Sequence, residues 1–335
     1  RVEIKKRLFI VKQRYKKEPK NTELKYEVER LNTEQMVIKI LVNSCYGYMG
    51  NKRAPIGDDD IASSVTLTGQ AVIKQSNIFI KQFLKQELPD ITDHDLEQCI
   101  VYNDTDSGYI SIAPLVDAGI IKFWDGKDIH QETFDKIQEI EDYLNVNINK
   151  WATKALLTQD SRFIFKRECI ADVGVFLQKK RYVMHILDDE GIKEDKFKYT
   201  GVEVVRTTMP NAIKPYAKKI IETMLMSQSL SKTNKILNES YDTFKSLGPE
   251  EISFVMGVKN YDKYAPQCNE FNTCKGMPIH VKSSYFYNKM LSKLDTGNKY
   301  EEISSGDKVR YMYLEQPNKY GIGTIGFKYE YPTEF

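Results

Sequence analysis

The sequence predicts an α+β fold: a helical hairpin at the N-terminus, an antiparallel sheet with packed helices in the middle, and a mainly helical C-terminal part. Residues 3–18 and 23–48 carry helical patterns that are joined by a short turn, which predicts the hairpin. Strand-like runs lie between residues 99 and 199, on both sides of a long amphipathic helix. Helical patterns return after Gly201, mixed with short strands further on.

The middle part supplies most of the predicted strands. A loop over 51–58 leads into a helix that runs from Asp58–Asp60 to about Gln86, since acidic residues suit the positive end of a helix dipole. Cys99–Asn103 and Ser107–Ala113 predict a β-hairpin. The clearest helix covers 133–157. Further strands are predicted over Arg162–Ala171, Val175–Leu187 and Lys196–Tyr199, and further helices over 211–226 and 234–247.

The composition is that of a globular protein. With 335 residues, 41% apolar and 29% charged, the chain predicts two or three compact units and is not that of a disordered protein. No apolar run approaches the roughly 18 residues of a membrane helix. Five cysteines without paired close spacing indicate reduced thiols rather than a zinc site. Because the first residue is Arg1, we expect a segment of a longer protein.

The net charge of +2 hides an uneven distribution. Residues 1–53 hold 14 basic and 6 acidic side chains, residues 54–200 hold 17 and 26, and residues 201–335 hold 18 and 15. Basic ends around an acidic centre suit a protein that binds a polyanion and collects metal ions. Solvated surface charge that happens to cluster is the alternative.

The first chemical motif is the helical segment around Lys39. Lys39, Asn43 and Tyr46 lie at steps of four and three, so they share one face of the helix. Lysine suits a phosphate and tyrosine offers a flat surface to a base pair. The buried side of the helix is predicted to carry Ile38, Leu41, Val42 and Cys45. An ordinary amphipathic helix is the alternative.

The second motif is the Asp-Thr-Asp run at 104–106. In an extended strand, Asp104 and Asp106 would point to the same side, which is unfavourable for two carboxylates unless a cation lies between them. Carboxylate oxygens suit Mg²⁺, which keeps some waters and accepts substrate phosphates. A hairpin turn without metal is the alternative, since aspartate is a common turn residue.

The third motif is a run of basic residues on a predicted strand. Lys179, Lys180 and Arg181 precede Tyr182, and adjacent basic and aromatic side chains suit contact with a nucleic-acid backbone. A charged, exposed strand is the alternative. Lys214, Lys218 and Lys219 share a later helix and face either phosphates or water.

The order of these motifs is more specific than any of them alone. NSCYG, then DTDS, then KKRY resembles the family B DNA polymerases, in particular the replicative enzymes of tailed bacteriophages. GNKRAPIGDDDIASSVTLTGQ, KRECI, TGVEVVRTTMP and MPIHVKSSYFYNKML resemble further segments of that family. The resemblance implies helical-hairpin fingers over 1–53, an incomplete catalytic palm over 54–200, and a thumb over 201–335 that is incomplete at its C-terminus.

For nucleotide binding, the resemblance implies roles on the fingers. Lys39 matches the lysine that binds the incoming triphosphate, with Asn43 beside it and Arg14 as a second phosphate contact. Tyr46 and Gly47 match the residues that line the nascent base pair. A further lysine of the family, one turn after Arg14, is replaced here by Glu18.

For the palm, the resemblance implies two Mg²⁺ ions and a primer. Asp106 matches the carboxylate that ligates both metals, Asp104 its less direct partner, and Glu168 is an additional candidate ligand. The glycine that precedes the first aspartate in the family is Asn103 here. Lys180 and Tyr182 match residues that hold the primer end, and Lys179 and Arg181 are predicted to contact DNA with them.

One expected motif is absent. The family's other metal-ligating aspartate lies in an upstream run resembling D-x-x-S-L-Y-P-S, which this sequence lacks, as it lacks the acidic motifs of the proofreading exonuclease. We therefore interpret the chain as a part of a polymerase, or one subunit of a split polymerase, that does not extend a primer alone. The implied partners are primer–template DNA, dNTP, the missing N-terminal portion and a sliding clamp, in the cytoplasm of an infected bacterial host and without a membrane.

Two other interpretations stay open. The chain could serve as a non-catalytic module that binds primer–template DNA. An unrelated metal enzyme with an Asp-x-Asp pair, such as a sugar-nucleotide transferase, is the other, but that class has no need of the Lys39 helix or the KKRY run.

Overall fold

The fold was analysed in a computed structural model that describes residues 1–159, 161–294 and 299–335. The chain divides into two compact units: Arg1–Ala171 with Ile186–Lys196, and Asp172–His185 with Phe197–Phe335. Helices and short antiparallel sheets confirm the α+β class. The division into fingers, palm and thumb stays a prediction.

The described part of the chain contains these elements. The helices are α1 (Val2–Lys17), α2 (Thr22–Met49), α3 (Asp59–Glu87), α4 (Asp93–Gln98), α5 (Ala113–Asp117), α6 (Gln131–Ala155), α7 (Lys214–Ser227), α8 (Leu230–Lys245), α9 (Pro249–Ile252), α10 (Tyr261–Tyr264) and α11 (Ile279–Lys293). The strands are β1 (Ile100–Asp104), β2 (Ser107–Ile110), β3 (Trp124–Asp125), β4 (Asp128–Ile129), β5 (Cys169–Gln178), β6 (Arg181–Asp189), β7 (Ile192–Thr200), β8 (Phe254–Gly257), β9 (Lys308–Tyr313) and β10 (Thr324–Phe327). The sheets are β1-β2, β3-β4, β5-β6-β7 and β10-β9-β8.

The N-terminal helical hairpin forms as the sequence predicts. Asn21 begins α2, and its side-chain oxygen accepts hydrogen bonds from the amides of Glu23 and Leu24, each at 3.1 Å. Leu8 and Val11 of α1 pack on Leu31 of α2 in a small apolar core. This core lies beside the first half of α2, so the hairpin buries only that half.

The long helices α3 and α6 form the main core of the first unit. Asp58 begins α3 by accepting hydrogen bonds from the amides of Asp60 and Ile61. Ile80 and Leu84 of α3 share a buried cluster with Leu144 of α6. The β1-β2 hairpin carries Ile100 and Ile110 at the edge of the same cluster, which ties the Asp-Thr-Asp turn to a rigid helical base.

The turn between β1 and β2 contains the two residues Thr105 and Asp106. Asp104 pairs with Ser107, so β1 ends at Asp104 and Asp106 lies in the turn rather than on the strand. The amide of Asp106 donates to the carbonyl of Asp104 at 2.6 Å, which makes a three-residue γ-turn with Thr105 at its centre. Thr105 has a φ of 55°, a conformation that is strained for a β-branched residue.

The predicted strand over Arg162–Ala171 is wrong for its first seven residues, since β5 begins at Cys169. Side chains of α6 take the place of a neighbouring strand. Asn145 donates to the carbonyl of Phe165 at 2.8 Å and accepts from its amide at 2.7 Å. Glu141 accepts from the amide of Arg167 at 2.8 Å, one helical turn away. Sequence patterns do not distinguish a strand from an extended segment whose backbone partners are side chains.

The predicted strand over Val175–Leu187 is in fact two strands. The chain turns at Lys179 and Lys180, between β5 and β6. Lys180 has a φ of 62°, and Gly201 lies against it so closely that a Cβ atom there would stand 2.0 Å from the Lys180 carbonyl oxygen. Only glycine leaves room for this approach.

The second unit has two apolar cores. Leu225 of α7 packs on Val183, Val202 and Val204, and α8 lies against α7. In the other core, α11 covers the β10-β9-β8 sheet, where Ser283 and Thr324 form a buried 2.5 Å hydrogen bond. Among the described residues, no helix has an apolar run long enough to cross a membrane.

Replacing Asn145 by alanine tests the side chains that stand in for a strand. Asn145→Ala leaves both backbone groups of Phe165 without their partner, so we expect the free energy of unfolding in urea to fall by about 2 kcal/mol. The amide of Phe165 should also exchange faster with deuterium. Asn147→Ala is the control, because Asn147 donates only to the Tyr143 carbonyl within its own helix. Unchanged protection of the Phe165 amide in Asn145→Ala would contradict this structure.

A glycine substitution at Thr105 tests the strain in the turn. Thr105→Gly removes the Cβ clash, worth about 1 kcal/mol or more, and loses part of that gain to the greater freedom of glycine when unfolded. We expect an unfolding free energy that is unchanged or up to about 1 kcal/mol higher. Thr105→Val keeps the branched Cβ and should gain nothing. If Thr105→Gly is the less stable of the two in urea titrations, the turn is not strained as described.

Candidate functional site

The face of α2 around Lys39 forms as the helical spacing predicts. Lys39, Asn43, Tyr46 and Gly47 are all exposed on one continuous helix. The Tyr46 hydroxyl donates to the carbonyl of Ala62 on α3 at 3.3 Å, so the ring is held at its polar end. A Cβ atom at Gly47 would meet no atom within 4 Å, which leaves open space beside the ring. The face therefore presents a cation, an amide and an aromatic ring to solvent.

Arg14 does not join this face. It lies in the last turn of α1, next to the loop that leads into α2. Because α1 runs antiparallel to α2, Arg14 faces the start of α2, about 20 Å along the axis from Lys39 at 1.5 Å per residue. Lys16, close to it in sequence, pairs with Glu194 at 3.1 Å. A shared phosphate contact for Arg14 and Lys39 stays a prediction, since this structure does not bring the two residues together.

The predicted buried side of α2 is wrong. Leu41 is 64% exposed and Val42 61%, Cys45 is also exposed, and Ile38 is only half-buried. The periodic pattern is present, but α1 covers only the first half of α2. The pattern therefore marks a face that the described residues leave open.

The two carboxylates of the Asp-Thr-Asp run lie at the tip of the β1-β2 hairpin. Asp104 is half-buried as the last residue of β1, and Asp106 is exposed in the turn. The Thr105 hydroxyl donates to Asp104 Oδ1 at 3.2 Å, and the Ser107 hydroxyl donates to the Asp104 carbonyl at 3.1 Å. The backbone bond across the turn, rather than strand alternation, therefore fixes the positions of the two residues relative to each other.

The donor chemistry of this tip fits a magnesium ion only in part. Two carboxylates suit Mg²⁺ when waters and substrate phosphates supply the other ligands. Among the residues that the structure describes, no three His, Cys, Asp or Glu side chains are arranged to hold a metal. Glu168 thus does not complete such a group with Asp104 and Asp106. It is exposed just before β5, where its carbonyl accepts from the Glu190 amide at 2.5 Å.

Two residues next to the carboxylates, Tyr102 and Tyr109, were not predicted as site residues. The rings of Tyr102 and Tyr109 stack across the hairpin with centroids 5.8 Å apart, on the face that carries Asp104. On the other face, Asn103 lies opposite Gly108, where a Cβ atom would stand 3.1 Å from Asn103 Oδ1. That buried oxygen lacks a hydrogen-bond partner among the described residues. The paired spacing of Tyr102 and Tyr109 around the turn was the signal that could have revealed the stack.

The basic run forms the turn between β5 and β6, in the second unit. Lys179 and Lys180 are exposed in that turn, not on a strand as predicted. Arg181 forms an ion pair with Glu203 at 2.9 Å. Tyr182 is only 5% exposed and stacks on Phe176, with ring centroids 5.2 Å apart. The two lysines are therefore presented to solvent, while the ring of Tyr182 anchors the turn. A direct DNA contact by Tyr182 stays a prediction.

Comparison with known proteins identifies the family. The model of DNA polymerase family B matches residues 3–325. The DNA-directed DNA polymerase of Escherichia phage RB69 is 26% identical over 325 residues, which cover 88% of this chain and 33% of the phage protein. The corresponding enzyme of Enterobacteria phage T4 is 25% identical over 311 residues, with 88% and 33% covered. A DNA polymerase of Thermococcus gorgonarius is 27% identical over 228 residues, covering 68% of this chain and 24% of that protein.

The chain thus spans about a third of the length of the phage relatives it matches. The match includes the α2 face, the Asp-Thr-Asp turn and the lysine turn, in the order in which the sequence analysis found them. On this evidence, the chain belongs to DNA polymerase family B.

Proposed function

We propose that this chain is the fingers, palm and thumb portion of a DNA-directed DNA polymerase, which adds nucleotides from dNTP to a primer 3′ end. The observation that carries the proposal is the family match together with the exposed Lys39 face and the exposed carboxylate turn, both in the first unit. The relatives' names support the same activity for the complete protein.

Each group has a part in nucleotidyl transfer that follows from its chemistry. Lys39 donates to the triphosphate and lowers its charge, while Asn43 supplies a neighbouring hydrogen bond. The ring of Tyr46, fixed through Ala62, limits the space for the base pair that forms next to it. Gly47 leaves that space free of a side chain.

Asp104 and Asp106 would hold the metal ions of the reaction. When bound, two Mg²⁺ ions would supply activation of the primer hydroxyl and neutralisation of the triphosphate and its leaving group. The turn contributes by fixing the two backbone positions that carry the carboxylates. Two carboxylates alone make an incomplete site, so we infer that this chain does not extend a primer without the rest of the polymerase.

Lys179 and Lys180 would hold the primer backbone. Both residues are exposed in a turn that Gly201 approaches closely. Because neither needs a particular base to bind, their contribution is positional and depends on ionic strength. A non-catalytic DNA-binding module would share this feature.

Primer–template binding by the isolated chain tests the proposal. We expect binding without extension in the presence of Mg²⁺ and dNTP. The double variant Lys179→Ala, Lys180→Ala should weaken binding about tenfold and reduce the slope of log K against log salt by about 2, since two phosphate contacts are lost. Fluorescence anisotropy and a gel-based extension assay measure the two properties.

The control removes the same charge elsewhere in the second unit. Lys232 and Lys235 are exposed on α8, and their double alanine variant should bind the primer–template as the unchanged chain does. Equal loss of affinity in both double variants would mean that only net charge matters. Robust extension by the pure chain would overturn the inferred need for the rest of the polymerase.

A further inference from the structure

The second half of α2 carries apolar residues at the spacing of a packed helix face, but these residues are exposed to solvent. From Met36 to Tyr48, all of which the structure describes, no side chain is buried. Leu41, Val42 and Cys45 follow the spacing of a packed face and lie open to solvent. An apolar helix face of this spacing is ordinarily covered by other protein.

The first half of α3 shows the same property on its core-facing side. Val72, Ser76, Ile80 and Leu84 form a buried stripe at steps of four. The same stripe extends backwards to Val65 and Ile61, by steps of seven and four, and each of these is 52% exposed. The described residues therefore leave the side of α3 that α6 buries further along about half exposed at its beginning.

We call Leu41, Val42, Cys45, Ile61 and Val65 the uncovered surface. The two helices that carry it meet where Tyr46 bonds to the Ala62 carbonyl. No charged residue occurs between Ile40 and Asn51 or between Ile61 and Ile73. A phosphate backbone needs cations, so this surface is unsuited to nucleic acid and suited to an apolar protein partner.

We propose that the uncovered surface docks an apolar-faced polypeptide from the two-thirds of a family B polymerase that this chain does not span. The length of the relatives argues for this partner, because about 67% of the phage enzymes has no counterpart in this chain. The inference rests on the proposed function and adds to it the place where the two portions join.

Leu41 faces away from the nucleotide face of α2, whereas Val42 lies at its border. At 100° per residue, Leu41 lies about 160° around the helix from Lys39, and Val42 lies about 40° from Tyr46. Val65 is on a different helix. A partner at Leu41 and Val65 would fix α2 from behind, so Lys39 and Asn43 would be held in place without being blocked.

Binding between two separately produced polypeptides tests the inference. The probe is the polypeptide encoded immediately upstream of Arg1 in the same genome, titrated by calorimetry into the full chain. We expect a 1:1 complex whose Kd rises at least tenfold in Val65→Asp and in Leu41→Asp. Val146→Asp is the matched control, because Val146 is 51% exposed on α6 and lies outside the uncovered surface. It should change the Kd less than twofold.

Each other result contradicts the inference. No complex, or a complex that Val65→Asp and Leu41→Asp leave intact, removes the docking role of the uncovered surface. A wild-type chain that sediments as a dimer, and becomes a monomer in Val65→Asp, assigns the surface to a second copy instead. Circular dichroism and thermal unfolding of each variant show whether it is folded, and the exposure of both side chains predicts that it is.

The same complex separates this inference from the proposed function. A complex that is sensitive to Val65→Asp but does not extend a primer keeps the docking surface and removes the polymerase activity. Primer extension by a mixture of the two polypeptides that Val65→Asp leaves unaffected keeps the polymerase activity and removes the docking surface.

Discussion

The γ-turn that carries two aspartates at one hairpin tip is the constraint on which the site depends. Asp104 and Asp106 are held within this turn by the 2.6 Å bond between the Asp106 amide and the Asp104 carbonyl. The positive φ of Thr105 costs backbone strain of about 1 kcal/mol or more. The hairpin bears this cost because the stacked Tyr102 and Tyr109 and the apolar base on α3 hold it together.

Elsewhere in the first unit, polar side chains bind backbone groups that a neighbouring strand would otherwise bind. Asn145 makes two hydrogen bonds to Phe165, and Glu141 makes one to Arg167. These bonds satisfy an extended segment that has no neighbouring strand. That segment leads directly into β5, and β5 ends at the turn of Lys179 and Lys180. The side chains of α6 thus fix the extended segment that precedes β5.

The sequence predicted what depends on local interactions. The helical hairpin follows from two helical patterns joined by a short turn, and α6 follows from an apolar stripe that includes Ile140, Leu144 and Ile148. The β1-β2 hairpin was found because turn residues separate two β-rich runs. Of the site, the shared face of Lys39, Asn43 and Tyr46 was predicted from helical spacing alone.

What could not be predicted depends on partners that are distant in sequence. The extended segment after Arg162 looked like a strand because alternation of exposure does not reveal which groups bind the backbone. The turn at Lys180 depends on Gly201, twenty-one residues later, whose missing Cβ makes room for it. The exposure of Leu41 could not be predicted from its periodic pattern. Apolar spacing indicates that a helix face is suited to packing, but it does not indicate whether the packing partner belongs to the same chain.

Metal-directed cleavage of the hairpin is the most direct test of the central claim, that Asp104 and Asp106 together hold a divalent cation. Iron(II) in place of magnesium produces hydroxyl radicals at its binding site, and mass spectrometry locates the cut. With primer–template and dNTP present, the account predicts cleavage between Tyr102 and Gly108 that disappears in Asp106→Asn. Cleavage at another segment, or cleavage of this hairpin that persists in Asp106→Asn, would contradict it.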